Sequence, residues 1–221
     1  MPNIRKTLSI EDENFWYLVG LITSDGCLRS DGRHIDITSK DYKFLLAIKN
    51  RFGFINKIGT KYNSNGKQAF HIQIANKNFY DHLLSIGLTP QKSLTLDALR
   101  VPNQFFNDFL RGIIDGDGCI RAWMHPSNRR TQWSLRIYSG SRVFIRWLKE
   151  TVETLFKIKG KIYQEKNNVW ILKHGKLAAQ ILLKKCYYKG CFGLDRKILL
   201  ANICVKSQRG WSKSKTVYCS S

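Results

Sequence analysis

The sequence of 221 residues contains no apolar run near the roughly 18 residues that a membrane-spanning helix needs. A basic amphipathic surface binder is then the only membrane reading left, and no membrane partner is expected. The opening Met1-Pro2-Asn3-Ile4-Arg5-Lys6 leads into acids instead of an apolar core, so no export signal is read. An intracellular protein, of bacterial cytoplasm or an organelle, is the expectation. The six cysteines (Cys27, Cys119, Cys186, Cys191, Cys204 and Cys219) form no C-x-x-C pair and have no histidines at zinc spacing, which argues for reduced, mostly buried thiols. Acids are scarce: 16 against 37 lysines and arginines, a net charge of +21. Such a surplus attracts polyanions through Coulomb forces and counterion release, so nucleic acid is the first candidate partner. With 43% hydrophobic residues the chain can still bury a core.

The sequence contains itself twice. Leu18-Val19-Gly20-Leu21-Ile22-Thr23-Ser24-Asp25-Gly26-Cys27-Leu28-Arg29 lies over Leu110-Arg111-Gly112-Ile113-Ile114-Asp115-Gly116-Asp117-Gly118-Cys119-Ile120-Arg121 at an offset of 92, with seven of twelve positions identical. Ile37-Thr38-Ser39 and Phe44 then meet Ile137-Tyr138-Ser139 and Phe144 at an offset of 100, so the second copy has eight more residues in its first hairpin. Each copy begins with a helix. Ser9 is the expected N-cap of the first, ahead of Glu11, Asp12 and Glu13, and Asn103 caps the second after Pro102. Gly26 and Gly118 stop them.

Alternation follows. Ile35 and Ile37 oppose His34, Asp36 and Thr38, and Leu135 and Ile137 oppose Ser134, Arg136 and Tyr138, the pattern of half-buried strands. Helices over Tyr42 to Phe52 and Arg142 to Phe156 come next. Second hairpins lie around Lys57 to Ile74, turning at Asn65-Gly66, and Lys161 to Leu172; closing helices lie near Phe79 to Ile86 and Lys176 to Leu183. The fold class is α+β: two pseudo-symmetric αββαββα halves whose antiparallel sheets are covered by helices on one face and polar on the other. The division is residues 1–99, a short linker 100–103, residues 104–204, and a basic tail 205–221 that is either a DNA-hugging arm or a solubilising end.

Asp25 and Asp117 end the two first helices. A helix C-terminus already carries partial negative charge and free carbonyls, so a carboxylate there is unfavourable by a few tenths to about 1 kcal/mol. A divalent cation offsets that, and carboxylate plus carbonyl oxygens suit magnesium. A lone Asp-Gly is an ordinary helix-stop turn; two at matching positions of a duplication are not. Gly20 and Ser24 on one helix, and Gly112 and Gly116 on the other, form small-xxx-small columns that let two helices touch. Crossing about a pseudo-two-fold axis would bring the two aspartates together, where two metals could activate water and stabilise a leaving oxygen.

LVGLITSDG and LRGIIDGDG resemble the paired signature motifs of LAGLIDADG homing endonucleases, and the resemblance runs from Ser9 to about Ile203. It implies a single-chain, monomeric enzyme making a staggered double-strand cut in a long, non-palindromic DNA target. Two or three Mg2+ ions would be held by Asp25 and Asp117 with the carbonyls of Ser24 and Gly116, and Mn2+ or Ca2+ could substitute for binding. By the same resemblance Lys92 and Lys197 support the water network at the scissile phosphates, and Ser39 and Ser139 stand where relatives position water. Thr23 departs from the motif where the second copy has Asp115.

The family's sheets saddle the DNA major groove, and polar residues of the strands and hairpins are the candidate contacts. From the first half these are Arg29, Arg33, His34, Asp36, Lys57, Lys61, Lys67, Gln68, His71 and Gln73. From the second they are Arg121, Trp123, His125, Arg129, Arg130, Gln132, Arg136, Tyr138, Lys161, Tyr163 and Lys166. Arginine matches guanine edges and glutamine adenine, whereas lysines fix register on phosphates. The alternatives are an intron maturase that binds its host intron RNA with the same fold, and a non-catalytic DNA-binding protein.

Overall fold

The computed structural model describes residues 9–62, 66–92, 94–127, 129–165 and 168–207. The order in the first half is α1 (Glu13–Asp25), β1 (Gly26–Leu28), β2 (His34–Ser39), α2 (Tyr42–Phe52), β3 (Ile58–Tyr62), β4 (Gln68–Ala75) and α3 (Lys77–Ile86). A 3-10 turn over Asn103–Phe105 leads into the second: α4 (Phe106–Asp117), β5 (Gly118–Met124), β6 (Thr131–Ser139), α5 (Arg142–Phe156), β7 (Lys161–Gln164), β8 (Trp170–Gly175), α6 (Lys176–Cys186) and α7 (Asp195–Lys206). The second half therefore carries one helix beyond the αββαββα unit. Each sheet is antiparallel, in the orders β1-β2-β4-β3 and β5-β6-β8-β7.

Both helix starts differ from expectation. Asp12, not Ser9, caps α1: its carboxylate accepts the Asn14 N–H at 2.7 Å, while Ser9 Oγ accepts that of Glu11 outside the helix. Asn103 opens the 3-10 turn, and α4 starts three residues later without a side-chain cap. Asp41, Asn76 and Ser141 cap α2, α3 and α5 through the third residue's N–H.

Alternation places the core. Ile35 and Ile37 of β2, and Leu135 and Ile137 of β6, are buried beneath helices, while Asp36 and Arg136 sit at the same register on the opposite face, across from Cys27 and Cys119. One apolar cluster runs through both halves. Phe192 packs edge-on against Tyr17 and Phe52, and Phe105 stacks on Trp16. That continuity explains why Phe15 to Thr23 of α1 are buried on every side: the helix lies between its own sheet and α4.

The first hairpins are unequal. β1 stops at Leu28, and Arg29 to Arg33 form a turn closed by Arg29 N–H to His34 carbonyl (2.9 Å). The eight surplus residues of the second copy extend its hairpin, so β5 runs seven residues against three.

Candidate active site

The α1–α4 contact is backbone on backbone. A Cβ on Gly20 would fall inside the Phe109 carbonyl, and one on Gly112 inside that of Tyr17 and 2.6 Å from Leu21 N. One on Gly116 would strike the Ser24 side chain and come within 3.2 Å of Asp25 Oδ2. Gly20, Ser24, Gly112 and Gly116 thus form the column along which the helices touch. Both helices end together, with Gly26 and Gly118 donating to Ile22 and Ile114 in extended, not left-handed, conformation.

Asp25 opens onto a cavity of about 1010 Å³ that is also lined by Ser39, Lys40, Lys43, Gly116 and Arg196. It keeps solvent access, but protein crowds its carboxylate. That desolvation, with the Asp117 charge, lifts its pKa to about 6 against the pull of Lys197, Lys92 and Arg196. Burial also raises Asp117, opposed by Lys92 and Lys197. The two carboxylates and two lysines therefore share one electrostatic site.

The lysines are matched. Lys92 Nζ donates to the Gly26 carbonyl and Lys197 Nζ to the Gly118 carbonyl, each just past an aspartate, and Lys197 also donates to Ile114 (2.7 Å). Both are buried, which lowers their pKa values against the neighbouring carboxylates. An ammonium on the last carbonyls of a helix offsets its negative end. Ser39 and Ser139 are matched too, each accepting from the backbone N–H two residues on.

Asp115, two residues above Asp117, faces inward. Its carboxylate accepts from Tyr17 OH (2.8 Å), Tyr187 OH (2.6 Å) and the Leu194 N–H (2.7 Å), which pins the start of α7 and hence Lys197. Burial still raises its pKa. Thr23, its counterpart, only donates to Val19 O. Arg111 is fully buried beside it, bonded to Asp108 (2.7 Å), Cys186 O and Phe192 O and flanked by the rings of Tyr17 and Tyr188. Sequence reasoning missed this network and the cations Lys40, Lys43 and Arg196. The one available signal was Arg111, a basic residue where the first copy has the apolar Val19.

On the exposed sheet faces the candidate contacts divide. Asp36 is buried under Arg29 and Lys61, which pair with it at 2.5 and 3.6 Å, and His34 pairs with Asp31. His71 lies over Gly59, and Gln73 stands across from Asp36. Lys57 and Lys67 flank β3 and β4, Gln68 opens β4, and Arg33 lies in the first turn. In the second half Arg121 and Trp123 lie on β5, Gln132, Arg136 and Tyr138 on β6, and Lys161 and Tyr163 on β7; His125, Arg129 and Arg130 form the hairpin end. Lys173 of β8, absent from the candidates, sits over the Tyr163 ring. Lys166, the Asn65 turn position and the tail beyond Ser207 lie outside the described residues.

Among the described residues no helix is long and apolar enough to cross a membrane. A family model described as a LAGLIDADG-like domain matches residues 12–86. No curated protein sequence matches the chain significantly. Among solved structures, full-length DUF199/WhiA from Thermatoga maritima superposes with a TM-score of 0.57 at 17% identity, over 90% of this chain and 61% of that one. This chain thus spans about three-fifths of that relative's length. The homing endonuclease I-WcaI, bound to its DNA recognition sequence, gives 0.59 at 14% identity over 81% of this chain and 82% of its own. The meganuclease I-AabMI, bound to uncleaved DNA, gives 0.55 at 17% over 86% and 89%. Identities this low establish the fold alone. Residues 12–86 match the model of a LAGLIDADG-like domain, and the second half repeats the element order and the motif of the first in the same polypeptide.

Proposed function

We propose that this protein is a site-specific DNA endonuclease that makes a metal-dependent, staggered double-strand cut in a long, non-palindromic target. The observation that carries the reading is the pair of coupled carboxylates, Asp25 and Asp117, at the adjoining ends of α1 and α4, each followed by a glycine carbonyl held by a buried lysine. A symmetric site inside one chain suits a monomer on a target whose halves differ. The DNA-bound states of I-WcaI and I-AabMI support double-stranded DNA as the partner.

Magnesium fits the donors. Two carboxylates and helix-end carbonyls are hard oxygens, and a cation would offset the desolvation and the Asp117 repulsion that together lift Asp25. Among the described residues no cluster of three or more His, Cys, Asp or Glu could hold an ion. Asp25 and Asp117 would hold the magnesium, with the Ser24 and Gly116 carbonyls. When bound, the metal would acidify a water and offset charge on the leaving oxygen. Lys92 and Lys197 fix the helix-end carbonyls and oppose the rise in the aspartates' pKa values. Asp115 holds α7 so that Lys197 stays in place.

The test is incubation with DNA that joins the two sequences flanking the protein's own reading frame, first with magnesium and then with EDTA. Specific cleavage that needs metal and is lost in Asp25→Asn and Asp117→Asn is the expected result. Cleavage surviving both substitutions refutes the assignment. Binding without cleavage would favour a non-catalytic DNA-binding role, and splicing of a host intron only when the protein is added would favour a maturase.

A further inference from the structure

Arg29 follows β1 on the uncovered face of the first sheet. Its Nε and one Nη donate to the same oxygen of Asp36, at 2.8 and 2.5 Å. The arginine side chain is 50% exposed and the aspartate 4%. Lys61 approaches that oxygen from the other side at 3.6 Å, and the second carboxylate oxygen is buried without a partner. Asp31, the other nearby acid, is taken up by the His34 ring and the N–H groups of Arg33 and His34. The second sheet is built differently. Arg121 occupies the place of Arg29 and Arg136 the register of Asp36, and among the described residues no ion pair holds either.

We propose that Arg29, buttressed by Asp36, reads one guanine in the DNA target; this rests on the DNA-binding reading above. A phosphate contact draws its strength from charge and counterion release, and Asp36 cancels most of that charge at Arg29. What remains is geometry. With Nε and one Nη–H tied to the carboxylate, the end of the guanidinium keeps two parallel donors, the fork that matches guanine O6 and N7. The buttress also fixes a long side chain before binding, so less rotamer entropy is lost on contact. Arg121 and Arg136, without a carboxylate, keep their full charge for the backbone.

The test is selection from a library of randomised DNA duplexes by the full chain in EDTA, which prevents cutting, followed by salt titrations on the selected duplex. The wild-type protein is expected to enrich a guanine whose preference falls roughly tenfold or more in Arg29→Ala. Arg29→Lys, which keeps the charge but not the fork, should lose that preference too. Other positions should hold, and the salt dependence should barely change. Asp36→Ala should weaken the same guanine while steepening the salt dependence by about one phosphate's worth. A uniform loss across all sequences in Arg29→Ala, with a shallower salt dependence, would make Arg29 a phosphate contact and overturn the proposal. No change at all would reduce the pair to a surface ion pair and overturn it equally. Failure of the wild-type chain to select any sequence would instead defeat the DNA-recognition reading itself, and this proposal with it.

Discussion

His174 offers a measurement on the second half that does not depend on the active site. It lies on β8 across from Leu135 and is fully buried, with neither ring nitrogen in a well-formed hydrogen bond. At the same register of the first sheet, across from Ile35, stands Ile74. Burial pushes the imidazole pKa down to about 4, against a weaker upward pull from the Lys159 backbone and the Glu153 charge. The unfolded chain protonates at about 6.5. Because the folded value is the lower one, the native state is undisturbed above pH 6.5 and loses stability as pH falls from 6.5 toward 4. At pH 5 the loss is about 2 kcal/mol relative to pH 7.5. His174→Ile removes that term and restores the apolar side chain of the first half. Urea unfolding of both proteins at pH 7.5 and pH 5 should show the wild type losing about 2 kcal/mol more than the variant. Comparing the two losses cancels Asp25 and Asp117, whose raised pKa values act in the opposite sense. Equal losses in the two proteins would mean that His174 is protonated, or solvated, in the folded state, and the reasoning would fail.

Two further outcomes follow from the packing. Gly112→Ala places a methyl group against the backbone of α1, which cannot yield like a side-chain tip, so we expect a loss near the upper end of about 1–3 kcal/mol in the same unfolding assay. A loss below 1 kcal/mol would show that α1 and α4 can move apart freely. Asp108→Ala strands the buried Arg111 charge and should cost about 3–5 kcal/mol, whereas the double variant Asp108→Leu with Arg111→Met should recover much of it. A double variant no better than the single one would place the stability in the hydrogen bonds to Cys186 and Phe192, not in the ion pair.

The duplication, the helices ending at Asp25 and Asp117, and the inward sets Ile35/Ile37 and Leu135/Ile137 were legible in the sequence, because local periodicity and comparison of the two copies are enough to find them. The small residues Gly20, Ser24, Gly112 and Gly116 were legible for the same reason: a helix has one narrow column, and the residues filling it recur four apart. The start of α1 was not. Ser9 and Asp12 are both good caps, and the bond to Asn14 decides between them. Helix α7 was hidden as well, since Leu199 and Ile203 face solvent, blurring its apolar stripe, and no side chain caps its start.

The site divides in the same way. The sequence by itself determined that two carboxylates would stand at matching helix ends, and the family resemblance pointed to Lys92 and Lys197. Only the tertiary structure decided what each lysine holds, because the carbonyls they reach belong to residues 66 and 79 positions away. It also decided that Asp115 turns inward while Asp117 does not. Two helical positions separate a carboxylate satisfied by Tyr17, Tyr187 and Leu194 from one left at the junction of two negative helix ends. Arg29 and Asp36 show the same limit on the sheet face: alternation put Asp36 on the polar side, but it took the turn after Leu28 to fold Arg29 over it and make a buried buttress of an apparent surface acid.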